Sequence, residues 1–357
     1  MTTVASFEIL FHQIINDQGV LCQPLPSYAH DKSTLLELYR IMVRTRTFDK
    51  KAIALQRTGK MGTYAPITGQ EAISTAIGHA MRPEDVLIPY YRDYAAQLQR
   101  GVKMSEILAY WGGDERGSQF SCNSEDLPIC VPIASQCLHA TGVAFAFKYR
   151  NQPRVAVTCI GEGGTSEGDF YEAMNVAGAW NLPVVFVVNN NQWAISVPIS
   201  KQTATKTIAQ KAIAAGFEGV QVDGNDVIAV RQVVGEAIEK ARRGEGPTLI
   251  EALTYRLCDH TTADDATRYQ PQNEVEEAKL KEPISRFKHY LEQQQLWDEQ
   301  QEIILAKDCA QLVQQEVDDY LNRPSQTIDS AFDYHFKELP EYLVLQRAIA
   351  MEEAAHA

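Results

Sequence analysis

The first clear pattern along the chain is a series of apolar residues at helical spacing. Between Leu35 and Leu55 the apolar positions return every three or four residues, which predicts one long helix. Thr34 and Glu37 fit a capping box at the start of this helix, and Gly59 should end it. The segment therefore predicts an amphipathic helix that packs one face against a core.

Beyond residue 69 the pattern changes to short apolar runs that alternate with helical stretches. The runs predict strands at Val86–Tyr90, Arg154–Ile160, Val184–Val188, Gly219–Val222 and Thr248–Tyr255. The helical stretches are Ser135–Tyr149, Gly168–Trp180, Thr205–Ala215 and Val227–Arg242. Alternation of this kind predicts an α/β fold with a mostly parallel sheet flanked by helices.

The two ends of the chain and one internal stretch lack this alternation. Residues 1–30 show no period and contain two prolines near their end, which predicts an extended N-terminal arm. The polar stretch 258–279 is also without a period, and loops of that length are usually functional. An apolar stripe from Ile303 to Leu321 predicts a helix towards the C-terminus.

We predict one α/β domain with helical additions at both ends. The arm spans residues 1–30, and the α/β domain spans 31–323 with a loop at 257–275. A C-terminal extension spans 324–357. No stretch has the composition of a linker, so a single core is expected.

The composition excludes wholesale disorder, and the charge argues against a nucleic-acid partner. The chain has 357 residues, of which 45% are hydrophobic and 22% are charged, and that apolar content suffices for a core. Lys and Arg number 33 against 46 Asp and Glu, which gives a net charge of −13 without any basic tract. A phosphate backbone would be repelled, and we therefore predict no nucleic-acid partner.

The apolar segments and the cysteines favour a cytoplasmic protein. No apolar run reaches the roughly 18 residues of a membrane span. The first residues lack the basic start of a signal peptide and the Arg-rich pattern of a transit peptide. The seven cysteines include no C-x-x-C pair and lack the spacing of metal ligands. We expect reduced, mostly buried thiols and no membrane association.

The residues that carry chemistry lie in the segment 154–198. A strand there leads into Gly161-Glu162-Gly163-Gly164, a helix follows, and a second strand ends in Asn189-Asn190-Asn191. In a right-handed βαβ unit both strands point the same way, so their carboxyl ends share one edge of the sheet. The fold therefore predicts that Glu162 and Asn191 lie close together.

Glu162 and Asn191 together indicate a metal–diphosphate site. Carboxylate and amide oxygens suit Mg²⁺, which takes its remaining oxygens from water or phosphate. The adjacent helix N-terminus offers free N–H groups to a diphosphate, and glycines let the backbone approach it. A dinucleotide-binding loop is the alternative, because Gly161-x-Gly163 opens that fingerprint. Its third position is Ser166, however, and the second strand ends in asparagine where an acidic residue is expected.

The same segment resembles a known cofactor-binding motif. G-E-G followed further on by N-N is similar to the thiamine diphosphate motif, usually written with G-D-G. The runs GEGGTSEGDFYEAMN and LPVVFVVNNNQWAIS resemble the alpha subunit of the decarboxylating first component of 2-oxo acid dehydrogenase complexes. Further matches are GKMGTYAPITGQEA at 59–72, PYYRD at 89–93, VDGNDV at 222–227 and GPTLIEALTYR at 246–256. The resemblance covers roughly residues 35–345 and implies a thiamine diphosphate-binding fold.

The resemblance implies three metal ligands. Glu162 matches the family's acidic Mg²⁺ ligand, which is more often Asp, and Asn191 matches the second ligand. Trp193 matches an aromatic position whose backbone carbonyl is the third ligand. Mg²⁺ is therefore expected at Glu162, Asn191 and Trp193.

The resemblance also implies contacts to thiamine diphosphate itself. Gly163 and Gly164 match backbone that touches the diphosphate, and Tyr91 and Arg92 match a pair that contacts the phosphates. Arginine suits this task because its planar fork binds phosphate oxygens bidentately. Ile133 matches a bulky apolar residue that supports the cofactor in its bent conformation.

His260 matches the histidine of the family's active-site loop. The match implies that His260 contacts the cofactor, stabilises the developing intermediate and assists transfer to a lipoyl group. Imidazole is suited to this role because it can donate or accept a proton near neutral pH. Arg256 and Tyr269 match positions that anchor this loop, and Gln270 stands where the family usually has arginine.

The resemblance implies an enzyme that acts with partners. Enzymes of this family decarboxylate a 2-oxo acid with thiamine diphosphate and reductively acylate the lipoyl group of a dihydrolipoyl transacylase. A beta subunit supplies the glutamate that activates the aminopyrimidine ring of the cofactor. Two alpha and two beta chains are the expected assembly.

Pyruvate is the predicted substrate. MGTYAPITGQEA and QTATKTIAQKAIAAG resemble bacterial pyruvate members, whereas Glu162 and YRLCDHTTADD favour the branched-chain type. The alpha subunit of a branched-chain 2-oxo acid or acetoin dehydrogenase is therefore an alternative. A non-catalytic structural subunit is a third hypothesis, and the intact Glu162, Asn191, Arg92 and His260 count against it.

Overall fold

A six-stranded parallel sheet forms the centre of the chain, which the computed structural model describes over residues 1–122, 125–333 and 335–356. Its strands are β1 (Phe11–His12), β2 (Val86–Ile88), β3 (Ala156–Gly161), β4 (Val184–Asn190), β7 (Glu218–Asp223) and β8 (Thr248–Leu253). They lie in the order β1-β7-β8-β4-β3-β2. A separate antiparallel ribbon consists of β5 (Trp193–Ala194) and β6 (Val197–Pro198). The predicted strands are all present, with small shifts at their ends.

Helices cover both faces of the sheet and extend beyond it at the C-terminus. The α-helices are α1 (Lys32–Arg57), α2 (Glu71–Ala80), α3 (Tyr94–Gln99), α4 (Met104–Trp111), α5 (Ser135–Tyr149), α6 (Gly168–Ala179), α7 (Ile199–Gln202), α8 (Lys211–Ala214), α9 (Val227–Arg242), α10 (Gln272–Lys279), α11 (Pro283–Gln293), α12 (Glu299–Leu321) and α13 (Glu341–Ala355). This arrangement confirms the predicted α/β fold with a mostly parallel sheet flanked by helices.

The strands are buried on both faces, and alternate side chains belong to different cores. Val157, Val187 and Val222 pack with α1, α2 and α9 on one face. Phe186 and Val188 pack with α5 and α6 on the other face. This is why the strands read as continuous apolar runs, since each has no solvent-facing side.

The N-terminal arm differs from its prediction, because part of it joins the sheet. Phe11–His12 forms β1 and pairs in parallel with β7. The carboxylate of Asp226 accepts hydrogen bonds from the backbone N–H groups of Ile14 at 2.6 Å and Ile15 at 2.8 Å. A two-residue strand gives no periodic signal, and the buried acid that holds it lies more than two hundred residues away.

Two further predictions are wrong, one for the cap of α1 and one for a helix at residues 205–215. The cap of α1 is Asp31, whose side chain accepts from the Ser33 N–H, and the capping box at Thr34 and Glu37 is wrong. Residues 205–215 do not form one helix, because only a short 3₁₀ turn and the four-residue α8 occur there. Gly216 at φ +81° ends this segment.

The polar stretch 258–279 also contains structure that was not predicted. Helix α10 occupies its second half and buries no side chain. A helix that is polar on all sides gives no amphipathic signal. The division of the chain into arm, domain and extension stays a prediction.

Two expectations from composition can be compared with the structure. All seven cysteines are unpaired, but three are buried, three are half-buried and Cys22 is exposed, so "mostly buried" is only partly right. Among the described residues, no helix is both long and apolar enough to cross a bilayer.

Candidate active site

A cavity of about 220 Å³ lies at the carboxyl edge of β3 and β4. The nine residues predicted to bind the metal or the cofactor all line it: Tyr91, Arg92, Ile133, Glu162, Gly163, Gly164, Asn191, Trp193 and His260. They come from segments far apart in the sequence. The parallel strands deliver the Glu162 and Asn191 segments, because residues that follow neighbouring strands meet at one edge.

Glu162 is a buried carboxylate with weak, neutral hydrogen-bond donors. It follows β3 at the start of a 3₁₀ turn (Glu162–Ser166), and 2% of it is exposed. One carboxylate oxygen accepts from the Asn191 backbone N–H and the other from Gln202 Nε2, both at 3.3 Å. Burial raises the pKa of Glu162, so the charged form is disfavoured until a cation or further donors face it.

Asn191 is held in one orientation by two hydrogen bonds. Its Nδ2 donates to Gln70 Oε1 at 2.9 Å, and its Oδ1 accepts the backbone N–H of Trp193 at 3.2 Å. The turn that follows is strained, because Gln192 at φ +73° and Ile195 at φ +54° adopt the left-handed conformation. Such strain is common at functional sites, and here the two strained residues lie on either side of Trp193.

The carbonyl of Trp193 is already in contact with a guanidinium. Arg256 Nη1 donates to this oxygen at 3.2 Å, and Arg256 Nη2 donates to the carbonyl of Ile195 at 2.7 Å. A carbonyl oxygen carries two lone pairs, so one remains for a second partner. Arg256 therefore fixes the direction of the backbone on either side of Ala194.

Neighbouring side chains pack directly against the backbone of the two glycines after Glu162. A Cβ on Gly163 would lie 2.5 Å from the Cβ of Ala194. A Cβ on Gly164 would lie 2.7 Å from the side chain of Ile160 and 2.9 Å from that of Ile133. Only glycine fits at these positions without displacing neighbours, because any Cβ would collide with those side chains.

Arg92 is a buried cation whose described partners are all neutral. Its Nε donates to the carbonyl of Pro66 at 2.8 Å, and its Nη2 donates to the carbonyl of His260. Its guanidinium lies 4.8 Å from the centre of the Tyr91 ring. Only 2% of Arg92 is exposed, yet no carboxylate contacts its guanidinium within the described part of the chain. Buried charges are normally paired, so this one indicates an anionic ligand.

The buried acid Asp49 supports the position of Arg92 indirectly, through the backbone segment to which Arg92 donates. Asp49 accepts hydrogen bonds from the backbone N–H groups of Ile67 at 3.0 Å and Thr68 at 3.1 Å. These bonds fix the segment that carries the Pro66 carbonyl. The buried Asp49 therefore determines where the Arg92 guanidinium can lie.

His260 lies between two arginines and is neutral. Its Nδ1 lies 3.3 Å from Arg92 Nη2 and 3.5 Å from Arg256 Nη1. Burial, with the charges of Arg92 and Arg256, lowers the pKa of His260 to about 3. At neutral pH the imidazole is therefore uncharged, and acid would have to protonate it against both guanidinium groups.

The loop around His260 is anchored by several contacts. The His260 backbone N–H donates to Asp264 at 2.8 Å, and Arg256 Nη2 donates to the Tyr269 hydroxyl at 2.6 Å. Gln270 Nε2 donates to the carbonyl of Arg256 at 3.0 Å, so this residue contributes to the anchor although it is not arginine.

Sequence reasoning missed several residues that line or support the cavity. Gln70 and Gln202 contact Asn191 and Glu162, and Ile195 lines the opening. Gln70 lies inside the motif at 59–72, but nothing in its spacing indicates a contact 121 positions away. Only the fold reveals these contacts.

The donor set at this cavity suits a hard cation and a diphosphate. In the described ranges no three His, Cys, Asp or Glu side chains are grouped to hold a metal ion by themselves. The oxygens available beside Glu162 are those of an amide and of a backbone carbonyl, which suit Mg²⁺ when phosphate completes the shell. The buried carboxyl group of Glu162 and the buried guanidinium of Arg92 line one cavity, and they suit the cation and the phosphates of such a ligand.

The sequence of the chain matches a known protein family and several named relatives. Residues 39–329 match the family model described as the dehydrogenase E1 component. Proteins named pyruvate dehydrogenase E1 component subunit alpha, from Staphylococcus aureus and Staphylococcus epidermidis, are each 40% identical to the chain over 353 residues. In both cases the match covers 98% of this chain and 95% of the relative.

Proposed function

Because the chain belongs to the dehydrogenase E1 component family, we propose that it is the alpha subunit of a pyruvate dehydrogenase that transfers acetyl groups to lipoyl. One observation carries the proposal beyond the family. A buried carboxylate and a buried guanidinium, Glu162 and Arg92, line the same cavity, and neither forms an ion pair within the described residues. A metal–diphosphate would neutralise both.

The family implies thiamine diphosphate, and the chain offers a place for each end of its diphosphate. We propose that Glu162, Asn191 and the carbonyl of Trp193 hold Mg²⁺. The backbone of Gly163 and Gly164 faces the diphosphate oxygens. When bound, thiamine diphosphate supplies the nucleophile and the electron sink for decarboxylation of a 2-oxo acid.

Tyr91, Arg92 and Ile133 complete the proposed cofactor site. Arg92 binds the phosphates, and the ring of Tyr91 beneath it holds the guanidinium in place. Ile133 is an apolar side chain that is 46% exposed, and it offers a surface on which the cofactor can lie.

His260 can move a proton without carrying a charge of its own. As a neutral imidazole it donates from one nitrogen and accepts at the other. The two guanidinium groups face Nδ1 and disfavour the imidazolium, so His260 acts as a neutral imidazole whose Nε2–H can donate to the reacting atoms. We propose that it serves the reacting atoms and the transfer to the lipoyl group.

The partners proposed are a beta subunit and a lipoyl-bearing dihydrolipoyl transacylase, with two alpha and two beta chains in the assembly. Exposed apolar side chains on α5 and α6 support an extensive interface. They are Leu138, Phe145, Tyr149 and Tyr171, and Trp180 immediately after α6 adds to them. Large apolar patches of this kind usually mark protein contacts.

The substrate can be tested with the assembled enzyme. Co-produced with its beta subunit, the chain should give a higher kcat/KM for pyruvate than for three branched-chain 2-oxo acids or acetoin. We expect a difference of about 10-fold or more, since one extra methylene in a fitted pocket changes specificity by about 10–200-fold. Steady-state reduction of an artificial electron acceptor provides the measurement, because acetoin has no carboxylate and releases no carbon dioxide. A higher value for any branched-chain acid would assign the chain to that type instead.

Replacing His260 tests the proposed proton-transfer role. His260→Ala should lower turnover with pyruvate by about 100-fold or more, because general acid–base groups contribute about 10²–10⁴-fold. Cofactor affinity, measured by calorimetry, should change little. His289→Ala, at an exposed histidine on α11, is the matched control and should keep full activity. Reductive acylation at the wild-type rate in His260→Ala would disprove the role.

A further inference from the structure

Two glutamines contact the two side chains proposed as metal ligands. Gln70 Oε1 accepts from Asn191 Nδ2 at 2.9 Å, and Gln202 Nε2 donates to Glu162 Oε1 at 3.3 Å. Gln70 precedes α2 and is fully buried, whereas Gln202 ends α7 and is half-buried. The two glutamines therefore reach the same site from separate elements.

The contact with Gln70 fixes which atom Asn191 presents to the cavity. The Trp193 backbone N–H needs an acceptor, so Asn191 Oδ1 must face it and Nδ2 must face Gln70. The oxygen keeps a lone pair for a cation. Without the Gln70 oxygen, the buried Nδ2 would lose its acceptor and the amide would no longer be locked.

The contact with Gln202 fixes one oxygen of the Glu162 carboxylate. Gln202 Nε2 also donates to the carbonyl of Val197 at 2.8 Å, and this bond restricts movement of the Gln202 amide. A glutamate has one more rotatable bond than an aspartate at this position. An external donor that restrains Glu162 offsets that extra freedom.

Each glutamine leaves its other polar atom without a partner. Gln70 Nε2 and Gln202 Oε1 are buried and make no hydrogen bond in the described structure. Gln202 Oε1 lies 3.8 Å from the position of a Cβ on Gly163, next to the glycine backbone. Unsatisfied buried polar atoms cost free energy, which is tolerated at sites where function requires the side chain.

We propose that Gln70 and Gln202 are positioning residues that hold Asn191 and Glu162 in the geometry that Mg²⁺ requires. The inference rests on the proposed function, and it adds that these amides set the metal preference. Mg²⁺ demands near-octahedral ligands at about 2.0–2.1 Å, whereas Ca²⁺ accepts flexible ligands at about 2.3–2.6 Å. Loosened ligands should therefore weaken Mg²⁺ more than Ca²⁺.

The test uses the enzyme assembled with its beta subunit, as wild type and as Gln70→Met and Gln202→Met. Mg²⁺ and Ca²⁺ are titrated separately by calorimetry in the presence of saturating thiamine diphosphate. Loss of an outer-shell partner typically costs about 10–100-fold in metal affinity, and we expect a loss in that range for Mg²⁺. The Ca²⁺ affinity should fall less, so the ratio of the two affinities should decrease.

Gln97→Met is the matched control. Gln97 is also a buried glutamine, and both polar atoms of its side chain lack partners in the described structure, but it does not line the cavity. It should leave both affinities unchanged. If a methionine variant fails to assemble, Gln70→Asn and Gln202→Asn keep the amide but shorten its reach, and they carry the same expectation.

Three outcomes separate the inference from the function on which it rests. Wild-type Mg²⁺ affinity and an unchanged ratio in the Gln70 and Gln202 variants would overturn the inference alone. Equal losses for Mg²⁺ and Ca²⁺ would also overturn it, since they would indicate general damage to the site. Failure of the wild-type enzyme to bind thiamine diphosphate in a Mg²⁺-dependent way would instead refute the proposed metal site.

Discussion

Glu162→Ala should abolish measurable Mg²⁺-dependent binding of thiamine diphosphate while the chain still folds. The change removes the buried carboxylate of the cavity and leaves the diphosphate poorly neutralised. Losing an outer-shell group costs about 10–100-fold in metal affinity, so losing a proposed ligand should exceed that. Isothermal titration with cofactor, with and without Mg²⁺, gives the measurement.

The same variant should not lose stability without the cofactor. Burial raises the pKa of Glu162, which means that the ionised carboxylate is less favourable in the folded chain than in the unfolded chain. This relief offsets the loss of the hydrogen bonds from Asn191 and Gln202, so the melting temperature of Glu162→Ala should stay close to that of the wild-type chain. Glu172→Ala, at an exposed carboxylate on α6, should leave both properties unchanged. An unaltered cofactor affinity in Glu162→Ala would refute the assigned metal site.

The purified chain alone should show no turnover with any 2-oxo acid, and adding the cognate beta subunit should restore it. Activated thiamine diphosphate needs a carboxylate at its aminopyrimidine ring. In the described residues that line the cavity, the carboxylates are Glu162 and Glu167. Glu167 caps α6 just after the Glu162 turn, on the proposed diphosphate side. The missing carboxylate must then come from another chain.

An assay with an artificial electron acceptor, with saturating Mg²⁺ and thiamine diphosphate, measures this directly. The preparation is first shown by mass spectrometry to contain no second polypeptide. Substantial turnover under those conditions would contradict a site shared between chains. Binding of the cofactor to the isolated chain without turnover agrees with the expectation.

The sequence predicts best where the physical signal is local. β3 and β4 are apolar runs followed by glycine or asparagine, and strand direction alone brings Glu162 next to Asn191. The cavity lined by the nine predicted residues follows from that topology and from the family resemblance. Their roles in binding remain predictions.

The sequence fails where a contact depends on the distant course of the backbone. Nothing local indicates that Arg92 donates to the carbonyl of His260, because 168 positions separate them. Gln70 is missed for the same reason. Helix α2 is missed although its polar and apolar residues alternate at helical spacing, with Glu71, Ser74 and Thr75 on one side.

The two edge strands of the sheet are short, which limits pairing of the sheet with other chains. β1 has two residues and β2 has three, so neither margin offers a long row of free N–H and C=O groups to a neighbouring molecule. Shortening the chain past Phe11 would uncover the six-residue β7 as a new margin. The hydrogen bonds from the backbone N–H groups of Ile14 and Ile15 to Asp226 thus hold β1 against β7, whose free edge would otherwise favour aggregation.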